Sequence, residues 1–582
     1  MSNVGLTTTE GIASGSSPFR DPAKRNIGLL MERERGVEGV AVKIVSLAED
    51  QKVFGGEYPN TYGHFAVRTL FENAQDAPVT LYGVRILGAA STAASLTKTV
   101  NTRSITIKAG RRGSADRGDW GNNIKCILYS YNLKNRNAFT LEVYYKGKLV
   151  ETFYETTCAL LQNQINTISD YITVSFSGEL PTTQDTIVTA AGTWSVTTNP
   201  YKVVGTGTTF TTGLAVGSVL YANGQAVGKV KSIESATALT LEAASSQYPY
   251  AGYMYSAVPL QYAAASTAIV EEFQLSGGIY AAPAESDFYP SAPSATSPTG
   301  LSILNRYDVQ LIGVTEFNNL TMAQKLNEYC RNSGHKATGI TILPLNASQA
   351  ICELYANALQ TNGKSYIAGY NVWASILDSA GNTVVVPGLG LVLGAGYIRT
   401  PYVQGDYVHI PPAGTDSVFV GVQECFPNSV DTPTLNKLTR DFTVNSVVFK
   451  ENKGYYIATS RTYSTHILYM SVHSNIMACY YVRYIDENMD FVNQKPNTPD
   501  LRTSLFTSLR TFFKDQWNVG ALEKELPFEE ACVIICDRSN NPLNGDRKNL
   551  NAEVQYIITE AVESTTIALN RNDGILTTKV VE

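Results

Sequence analysis

The residues that could bind a phosphate group are those of the short stretch Gly363-Lys364-Ser365. A phosphate-binding loop of this type also needs a glycine five positions earlier and a strand that leads into a helix. Position 358 is Ala358, and the surrounding pattern predicts a helix that leads into a strand, so we expect a tight turn here. A second glycine group misses the spacing of a dinucleotide-binding loop and predicts bulges or close backbone contacts: Gly388, Gly390, Gly394 and Gly396.

Candidate metal ligands are scattered along the chain. Cys330, His335 and Cys352 fall short of the four closely paired ligands of a structural zinc site. Cys532 and Cys536 lie on a predicted strand, about 13 Å apart at ~3.3 Å per residue, which is too far to share a metal ion. The sequence also lacks the His-Glu-x-x-His pair and the Gly-x-Ser-x-Gly elbow of hydrolases. We therefore predict no catalytic residue, no metal, no cofactor and no enzymatic activity.

The composition excludes several classes of protein. With 582 residues the chain is too long for a single core, and we expect three or four domains. Only 16% of the residues are charged and the net charge is -6, so we expect no basic surface that would bind nucleic acid or an anionic membrane. Neither a basic-then-apolar start nor an apolar run of the ~20 residues of a membrane helix is present, so we expect no membrane insertion.

Residue usage points to a structural protein as readily as to an enzyme. The 34 tyrosines, with abundant threonine, serine, glycine and asparagine, favour a β-rich protein with large polar contact surfaces. The eight cysteines are spread singly, which predicts buried thiols and argues against a disulfide framework.

One well-marked helix dominates the last part of the chain. Thr498-Pro499-Asp500 combines a capping hydroxyl, a proline at the first helical position and an acid in the first turn. Apolar residues recur at helical spacing until Gly520, and four polar residues are expected on the opposite face. The apolar positions are Leu501, Leu505, Leu509, Phe512 and Phe513, and the polar ones are Arg502, Thr503, Arg510 and Lys514.

Both ends of the sequence are predicted to be arms. Residues 531–537 and 551–559 read as strands, and the β-prone runs 565–569 and 575–581 follow with too little sequence left to cover them. A short strand of this kind either frays or pairs with a sheet edge of its own or another subunit. Residues 1–24 have no helical period and are expected to be disordered alone. The candidate intersubunit residues are Val4, Leu6, Ile12, Ile567, Leu569, Ile575, Leu576 and Val580.

Between the ends, the hydrophobic period changes several times. Residues 27–45 predict two strands around a charged turn at 32–36, and residues 64–73 and 79–87 predict a helix and a strand. Further strands are expected at 139–145 and 149–154, with a helix at 157–169. Residues 307–372 alternate strand and helix, which predicts an α/β unit with a largely parallel sheet: strands at 307–314, 339–343 and 365–372, helices at 321–332 and 348–359, and glycine- and valine-rich strands at 383–398.

Residues 183–262 differ in character from their surroundings. Short, regularly spaced β-prone runs with Asn-Pro and Asn-Gly turns, few charges and no helical segment predict a small all-β barrel inserted into a loop of a host domain. Trp194 and Tyr201 could stack on a sugar, although filling the barrel is the simpler role. An alternative function is therefore a secreted or virion-surface glycan-binding or adhesion protein, and a further one is an α/β enzyme without recognisable motifs.

The order of several short motifs resembles one protein family. A strand, a charged Gly-Val turn and a strand precede V-F-G-G, A-V-R-x-L-F-E-N and L-Y-x-V-R-I, and then come G-x-W-G-N-x-I and F-Q-L-S-G-G. V-N-S-V-V-F, G-Y-Y-I-A-T-S-R-T, Y-M-S-V-H and C-D-x-S-N-N follow in the last third. Taken in this order, the motifs are similar to those of the contractile tail sheath proteins of phages and related injection machines. Many relatives carry paired arginines where this chain has Val472-His473-Ser474, so the contacts of those arginines do not transfer.

The resemblance implies a structural function. Sheath subunits stack as six-fold rings around an inner tube and contract to drive the tube through a bacterial envelope. Expected partners are further copies of the chain, the inner tail tube protein, and the baseplate and tail terminator proteins. Nucleic acid is not an expected partner. The expected location is a virion tail assembled in the bacterial host cytoplasm. On this basis the C-terminal domain faces the tube, and Arg502, Arg510 and Lys514 are candidate tube contacts.

The predicted fold class is a multidomain α+β and α/β protein, with a sheath-type core, an α/β layer, an inserted all-β barrel and extended terminal arms. Six parts are expected. They are an N-terminal arm (1–26), an N-terminal α+β domain (27–182), the inserted barrel (183–262), an α/β domain (263–400), a C-terminal domain (401–564) and a C-terminal strand arm (565–582).

Overall fold

The computed structural model resolves two compact units. The first holds Met1–Arg33, Gly39–Ile86 and Pro283–Glu582, and the second holds Glu34–Glu38 and Leu87–Ala282. Within these ranges the structure describes residues 21–100, 103–129, 139–180, 187–190, 192–222, 225–245, 256–257, 260–263, 270–289, 298–332, 337–427, 432–543, 545 and 548–562.

An eight-stranded sheet forms the centre of the first unit. Its six inner strands run parallel, and an antiparallel strand closes each edge. Four of these strands are buried at every residue, as expected of a parallel sheet covered on both faces. In spatial order the strands are Ala41–Ile44, Leu81–Arg85, Ile27–Met31, Leu311–Val314, Thr338–Ile342, Ile367–Asn371, Asn445–Lys450 and Gly454–Ile457.

Helices and a smaller sheet surround this centre. Ser46, Ser348 and Thr498 each cap a helix by accepting a backbone N–H bond, as the helix-start signals predict. The alternation of strand and helix predicted for residues 307–372 is confirmed. The helices are Leu47–Phe54, Gly63–Ala74, Glu285–Phe288, Leu320–Asn332, Gln349–Leu359, Thr432–Arg440, Val472–Asn488, Pro499–Asn518 and Phe528–Ala531, and the three-stranded sheet joins Thr383–Pro387, Trp373–Leu377 and Glu424–Phe426.

The prediction of strands throughout residues 383–398 is wrong. After the strand Thr383–Pro387 the chain becomes helical over Leu389–Leu391, the π-helical Val392–Arg399 and Thr400–Val403, together called the glycine helix. A Cβ atom on Gly390 would lie 2.0 Å from the Ala66 carbonyl oxygen, and one on Gly394 would lie 2.4 Å from that of Leu70. The glycines thus let two helices pack backbone to backbone, which confirms the predicted close contacts.

The charged turn predicted at residues 32–36 is buried at all four of its charged residues, Glu32, Arg33, Glu34 and Arg35. In the first unit, Arg33 donates to both carboxylate oxygens of Asp50, at 2.9 and 2.6 Å.

In the second unit, the Arg35 guanidinium lies over three aromatic rings, 4.6 Å from the centroid of Tyr171 and 5.7 Å from those of Trp120 and Tyr145. Its neighbour Glu34 accepts bonds from the Tyr145 hydroxyl and the Lys146 ammonium, at 2.8 and 2.9 Å. Partners distant in sequence therefore replace water around these buried charges.

The second unit is built on antiparallel sheets. One joins Val270–Gln274, Ile124–Tyr129, Phe139–Tyr145 and Lys148–Glu155, and another joins Ile172–Phe176, Arg103–Arg111 and Ser95–Val100, with Ser114–Ala115 paired to Arg103–Arg111. The helix Cys158–Ile168 packs against this core and is capped by the Thr157 hydroxyl, which accepts from the Leu160 N–H.

The inserted region contributes eight antiparallel strands to the second unit. Trp194 is 2% exposed and lies in the core of these strands, whereas Tyr201 is 45% exposed. One short helix, Phe210–Gly213, interrupts a region predicted to lack helices. Closure of the strands into a barrel stays a prediction. In order along the sheet the strands are Ile187–Ala190, Leu260–Ala263, Val219–Ala222, Gln225–Ser235, Ala238–Leu241, Lys202–Thr206, Thr193–Val196 and Ser256–Ala257.

Candidate assembly surface

The helix Val472–Asn488, called the tyrosine helix, is the centre of the C-terminal part of the first unit. Its Tyr484 ring stacks on Phe512 with centroids 3.7 Å apart, and Tyr481 meets Phe513 edge to face at 5.3 Å. Sequence analysis did not predict this helix, because apolar and aromatic residues lie on nearly all of its sides and leave no one-sided pattern. The absence of glycine and proline from residues 472–492 was the available signal.

The first described segment of the chain is fixed to the tyrosine helix. The Tyr480 hydroxyl donates to Asp21 Oδ1 at 2.9 Å, and Arg483 Nη2 donates to the Ala23 carbonyl at 2.9 Å. Arg25 Nη1 pairs with Asp406 Oδ1 at 2.7 Å. Burial and the nearby Asp21 carboxylate raise the pKa of Tyr480, which keeps the hydroxyl protonated as a donor. Residues 21–25 are therefore held against the first unit by defined contacts.

The last described segment lies against the same helix. Cys532–Ile535 pairs antiparallel with Glu553–Tyr556, and these two strands are called the terminal sheet. Tyr556 packs against Tyr481 and Phe513 with ring centroids 5.4 and 5.6 Å apart. Neighbouring positions of the tyrosine helix, Tyr480 and Tyr481, thus contact the two ends of the described chain.

The terminal sheet has room for further strands. It has two strands among the described residues, and a two-stranded sheet is marginal in water unless other strands or a helix support it. Val533 and Ile557 are 42% and 48% exposed, and Val562, where the description ends, is 84% exposed. Residues beyond Tyr556 already pair with another segment, because Ile558 bridges Leu522 and the Glu523 N–H donates to the Ile557 carbonyl at 3.0 Å. A short sheet beside exposed apolar side chains is still a place at which a further strand can add.

Comparison with solved structures identifies the fold. A sheath tail protein from Listeria innocua superposes with a TM-score of 0.50 at 11% identity, covering 94% of this chain and 98% of the other. The chain has the fold of a tail sheath protein. A sheath tail protein from Desulfitobacterium hafniense gives 0.46 at 11% identity, with 88% and 91% covered, and the contracted anti-feeding prophage helical sheath gives 0.41 at 17%, with 51% and 79% covered. No protein-family profile and no curated protein matches the sequence.

In this tail sheath fold, the three predicted tube contacts lie in different environments. Arg502 is 6% exposed and donates to Asn497 Oδ1 at 2.5 Å, so the expectation that it lies on the face opposite the apolar residues is wrong. Spacing explains its burial, because position 502 precedes the buried Leu505 by three residues on the same helix face. Arg510 pairs with Glu529 at 2.7 Å, and Lys514 is exposed.

The predicted arm residues lie outside the described residues. These are Val4, Leu6, Ile12, Ile567, Leu569, Ile575, Leu576 and Val580. Their pairing stays a prediction.

The residues considered as phosphate or metal ligands lie in a turn and in the buried core. Gly363-Lys364-Ser365 lies between the helix Gln349–Leu359 and the strand Ile367–Asn371, as predicted for a turn. All eight cysteines are buried free thiols, and burial raises the pKa of Cys158, Cys352 and Cys532 to about 11. Among the described residues, no three His, Cys, Asp or Glu side chains converge on a metal site. In the same part of the chain, no helix is long and apolar enough to cross a membrane.

Proposed function

We propose that this protein is the structural, non-enzymatic subunit of a contractile tail sheath. Copies stack as six-fold rings around an inner tube and contract to drive the tube through a bacterial envelope. The observation that carries the proposal is the contact of both ends of the described chain, residues 21–25 and the terminal sheet, with the tyrosine helix. A subunit that exchanges terminal strands with its neighbours needs this arrangement.

Strand exchange keeps neighbouring subunits linked while their domains move. Head-to-tail contacts that do not close on themselves generate helical tubes, and donated strands keep subunits joined while their domains rotate. The tail sheath fold, matched over 94% of this chain, supports the same proposal. The energy for contraction is stored in the extended form when it assembles, and this form then stays kinetically trapped until contraction begins.

The proposed partners follow from this role. Further copies of the chain bind through the arms, and the inner tail tube protein binds the C-terminal domain, where the exposed Lys514 and the half-buried Arg510 remain candidates. Baseplate and terminator proteins cap the two ends of the tube. The protein belongs to a virion or injection-machine tail and is assembled in the bacterial cytoplasm. The six-part division of the chain and the barrel form of the insertion belong to the same proposal.

The glycan-binding alternative has weaker support. Trp194, one of its two stacking candidates, is buried in the core of the inserted strands and cannot present a ring face to a sugar. Tyr201 alone is exposed.

Negative-stain microscopy of the purified chain at high concentration tests the proposal. Tubes or stacked rings are the expected result. Dispersed monomers over the whole concentration range, with or without an added tube protein, would contradict it.

A further inference from the structure

The 3₁₀ turn Ile467–Tyr469 presents apolar side chains to solvent on a rigid loop. Ile467 is 76% exposed and Leu468 is 59% exposed. The loop is held by internal bonds: the Tyr469 N–H donates to the His466 carbonyl at 3.0 Å, and the Thr462 hydroxyl donates to the Tyr469 carbonyl at 2.8 Å. A preorganised apolar projection loses little conformational entropy on binding, which suits it to an interface.

Positive charge flanks this projection. The Ser464 hydroxyl donates to the Gly363 carbonyl at 2.7 Å, which brings the turn that carries Lys364 beside the loop. The Lys364 ammonium lies 5.4 Å from the centroid of the Tyr366 ring. Arg331 is exposed in the last turn of the helix Leu320–Asn332; burial raises the pKa of Tyr366, and the charge of Arg331 opposes that rise. Arg331, Lys364, Ile467 and Leu468 are called the basic knob.

A surface of opposite charge lies at the other end of the tyrosine helix. Val482 and Phe491 are 37% and 38% exposed, and Asp486, Glu487 and Asp490 beside them are exposed acids. These five residues are called the acidic end. Ile467 and Leu468 of the knob precede the first residue of the helix, whereas Asp486 and Glu487 lie in its last turn and Asp490 and Phe491 follow it, so about 20 Å or more of helix separates the two groups at ~1.5 Å per residue.

We infer that the basic knob of one copy docks on the acidic end of the tyrosine helix in a second copy. The two surfaces combine complementary charge with exposed apolar side chains, and one chain cannot bring them together because they lie at opposite ends of a rigid helix. Two different surfaces of one subunit make a head-to-tail contact, which propagates along a ring or helix. The inference rests on the proposed self-assembly, and it adds a contact made by the folded body besides the arms.

Charge reversal tests the contact. One variant carries Arg331→Glu and Lys364→Glu, and the other carries Glu487→Lys and Asp490→Lys. Each alone juxtaposes like charges and is expected to raise the concentration needed for sedimentable polymer at least tenfold. An equimolar mixture restores opposite charges at every contact, so it is expected to assemble at the wild-type concentration. Assembly of each variant alone at the wild-type concentration would overturn the inference.

Cysteine cross-linking separates this inference from the proposed function. One copy carries Leu468→Cys and a second carries Phe491→Cys, and the native cysteines are all buried and leave a low background. Oxidation of the mixture is expected to give a disulfide-linked dimer. The control pairs Phe491→Cys with Val216→Cys, whose side chain is 62% exposed in the inserted region.

The outcomes are distinct. Cross-linking without tubes in the microscope supports the contact and contradicts the sheath proposal. Tubes with no cross-link above the Val216→Cys control leave the sheath proposal standing and overturn the contact.

Discussion

At the scale of single residues, the buried ion pair between Arg33 and Asp50 yields the sharpest stability prediction. Both side chains are 0% exposed, and Arg33 also donates to the Gly55 carbonyl at 2.9 Å. Asp50→Asn leaves the guanidinium charge buried without its counter-ion, so the free energy of unfolding is expected to fall by about 3–5 kcal/mol. Denaturant titration followed by tyrosine and tryptophan fluorescence measures the change.

Two controls separate charge from shape in that experiment. Glu242→Gln breaks the exposed pair with Lys229, whose side chains are 44% and 45% exposed, and should cost no more than about 1 kcal/mol. The double variant Arg33→Met with Asp50→Leu removes both charges and should recover most of the lost stability. A double variant as unstable as Asp50→Asn would mean that shape, and not the unpaired charge, governs this site.

The buried Glu316 is expected to make the stability of the folded state depend on pH. Its carboxylate accepts from the Tyr62 N–H at 3.0 Å, and burial, with Glu32 nearby, raises the pKa of Glu316 to about 7 from an ordinary 4.5. The folded state therefore holds a proton that the unfolded state releases, so this residue lowers stability as pH rises from about 4.5 to about 7. Glu316→Gln should raise the unfolding temperature at pH 8 and leave it nearly unchanged at pH 4.

The pH comparison is decisive for Glu316. An equal loss of unfolding temperature at both pH values would show that the carboxylate serves only as a hydrogen-bond acceptor for the helix Gly63–Ala74, with no proton linkage.

Residue types and local spacing predicted part of this picture. The Thr498 cap, the buried thiols and the turn at Lys364 follow from neighbours a few positions away. The burial of residues 32–35 does not, because the partners that replace water lie far along the chain, from Asp50 to Tyr171. A run of charges reads as solvated until those partners are placed.

At the scale of elements, the glycine helix predicts that a methyl group is enough to disturb two helices. Gly390→Ala gains helix propensity of up to about 1 kcal/mol, yet its Cβ would lie 2.0 Å from the Ala66 carbonyl oxygen. Overpacking of this kind costs about 1–3 kcal/mol, so a net loss of stability is expected by thermal unfolding. Gly56→Ala, where a Cβ meets nothing within 4 Å, is the matched control and should be neutral or stabilising.

The glycine helix also shows why the prediction of strands at residues 383–398 was wrong. Glycine and valine together favour a strand or a turn by local propensity, and propensity is a weak prior that packing overrides. Gly390 and Gly394 lower helix propensity but fit against the helix Gly63–Ala74, where larger side chains cannot. The helices Gln349–Leu359 and Pro499–Asn518 were predictable because each carries its own cap and apolar face.

We predict that the inserted strands are dispensable for folding and for tube formation. Ile187 pairs with Ala263 at the base of the insertion, so its entry and exit lie about 5 Å apart, a gap that a short Gly/Ser linker spans. Replacing residues 183–263 should leave a folded protein that still forms tubes. A soluble, folded product without tubes would make the insertion part of the lattice.

At the scale of the whole molecule, the order of motifs predicted more than any single motif. Each short match is weak alone, yet their sequence implied the sheath fold that superposition supports at only 11% identity. The order of motifs could not predict that Asp21 and Ala23 bind the tyrosine helix, because these contacts join residues 459 and 460 positions apart in sequence. The arms therefore provide the last prediction.

Ending the chain at Gly574, or deleting residues 1–19, should abolish ordered polymers. A donated strand makes several backbone hydrogen bonds at about 1 kcal/mol each and buries side chains such as Ile575, Leu576 and Val580 at about 1.5–3 kcal/mol each. That loss is repeated at every subunit of a tube. The monomer should keep its unfolding temperature, because the tyrosine helix, the terminal helix Pro499–Asn518 and the terminal sheet remain intact.

The two measurements must be made side by side, sedimentation for the polymer and thermal unfolding for the monomer. Normal tubes after both deletions would refute strand exchange, because the linkage between subunits would then come from the folded bodies alone. A lower unfolding temperature of the monomer would instead mean that the terminal strands complete the sheet of their own subunit. Loss of tubes with an unchanged monomer is the result that strand exchange requires, since only an arm that pairs in a neighbour is dispensable to its own fold and essential to the assembly.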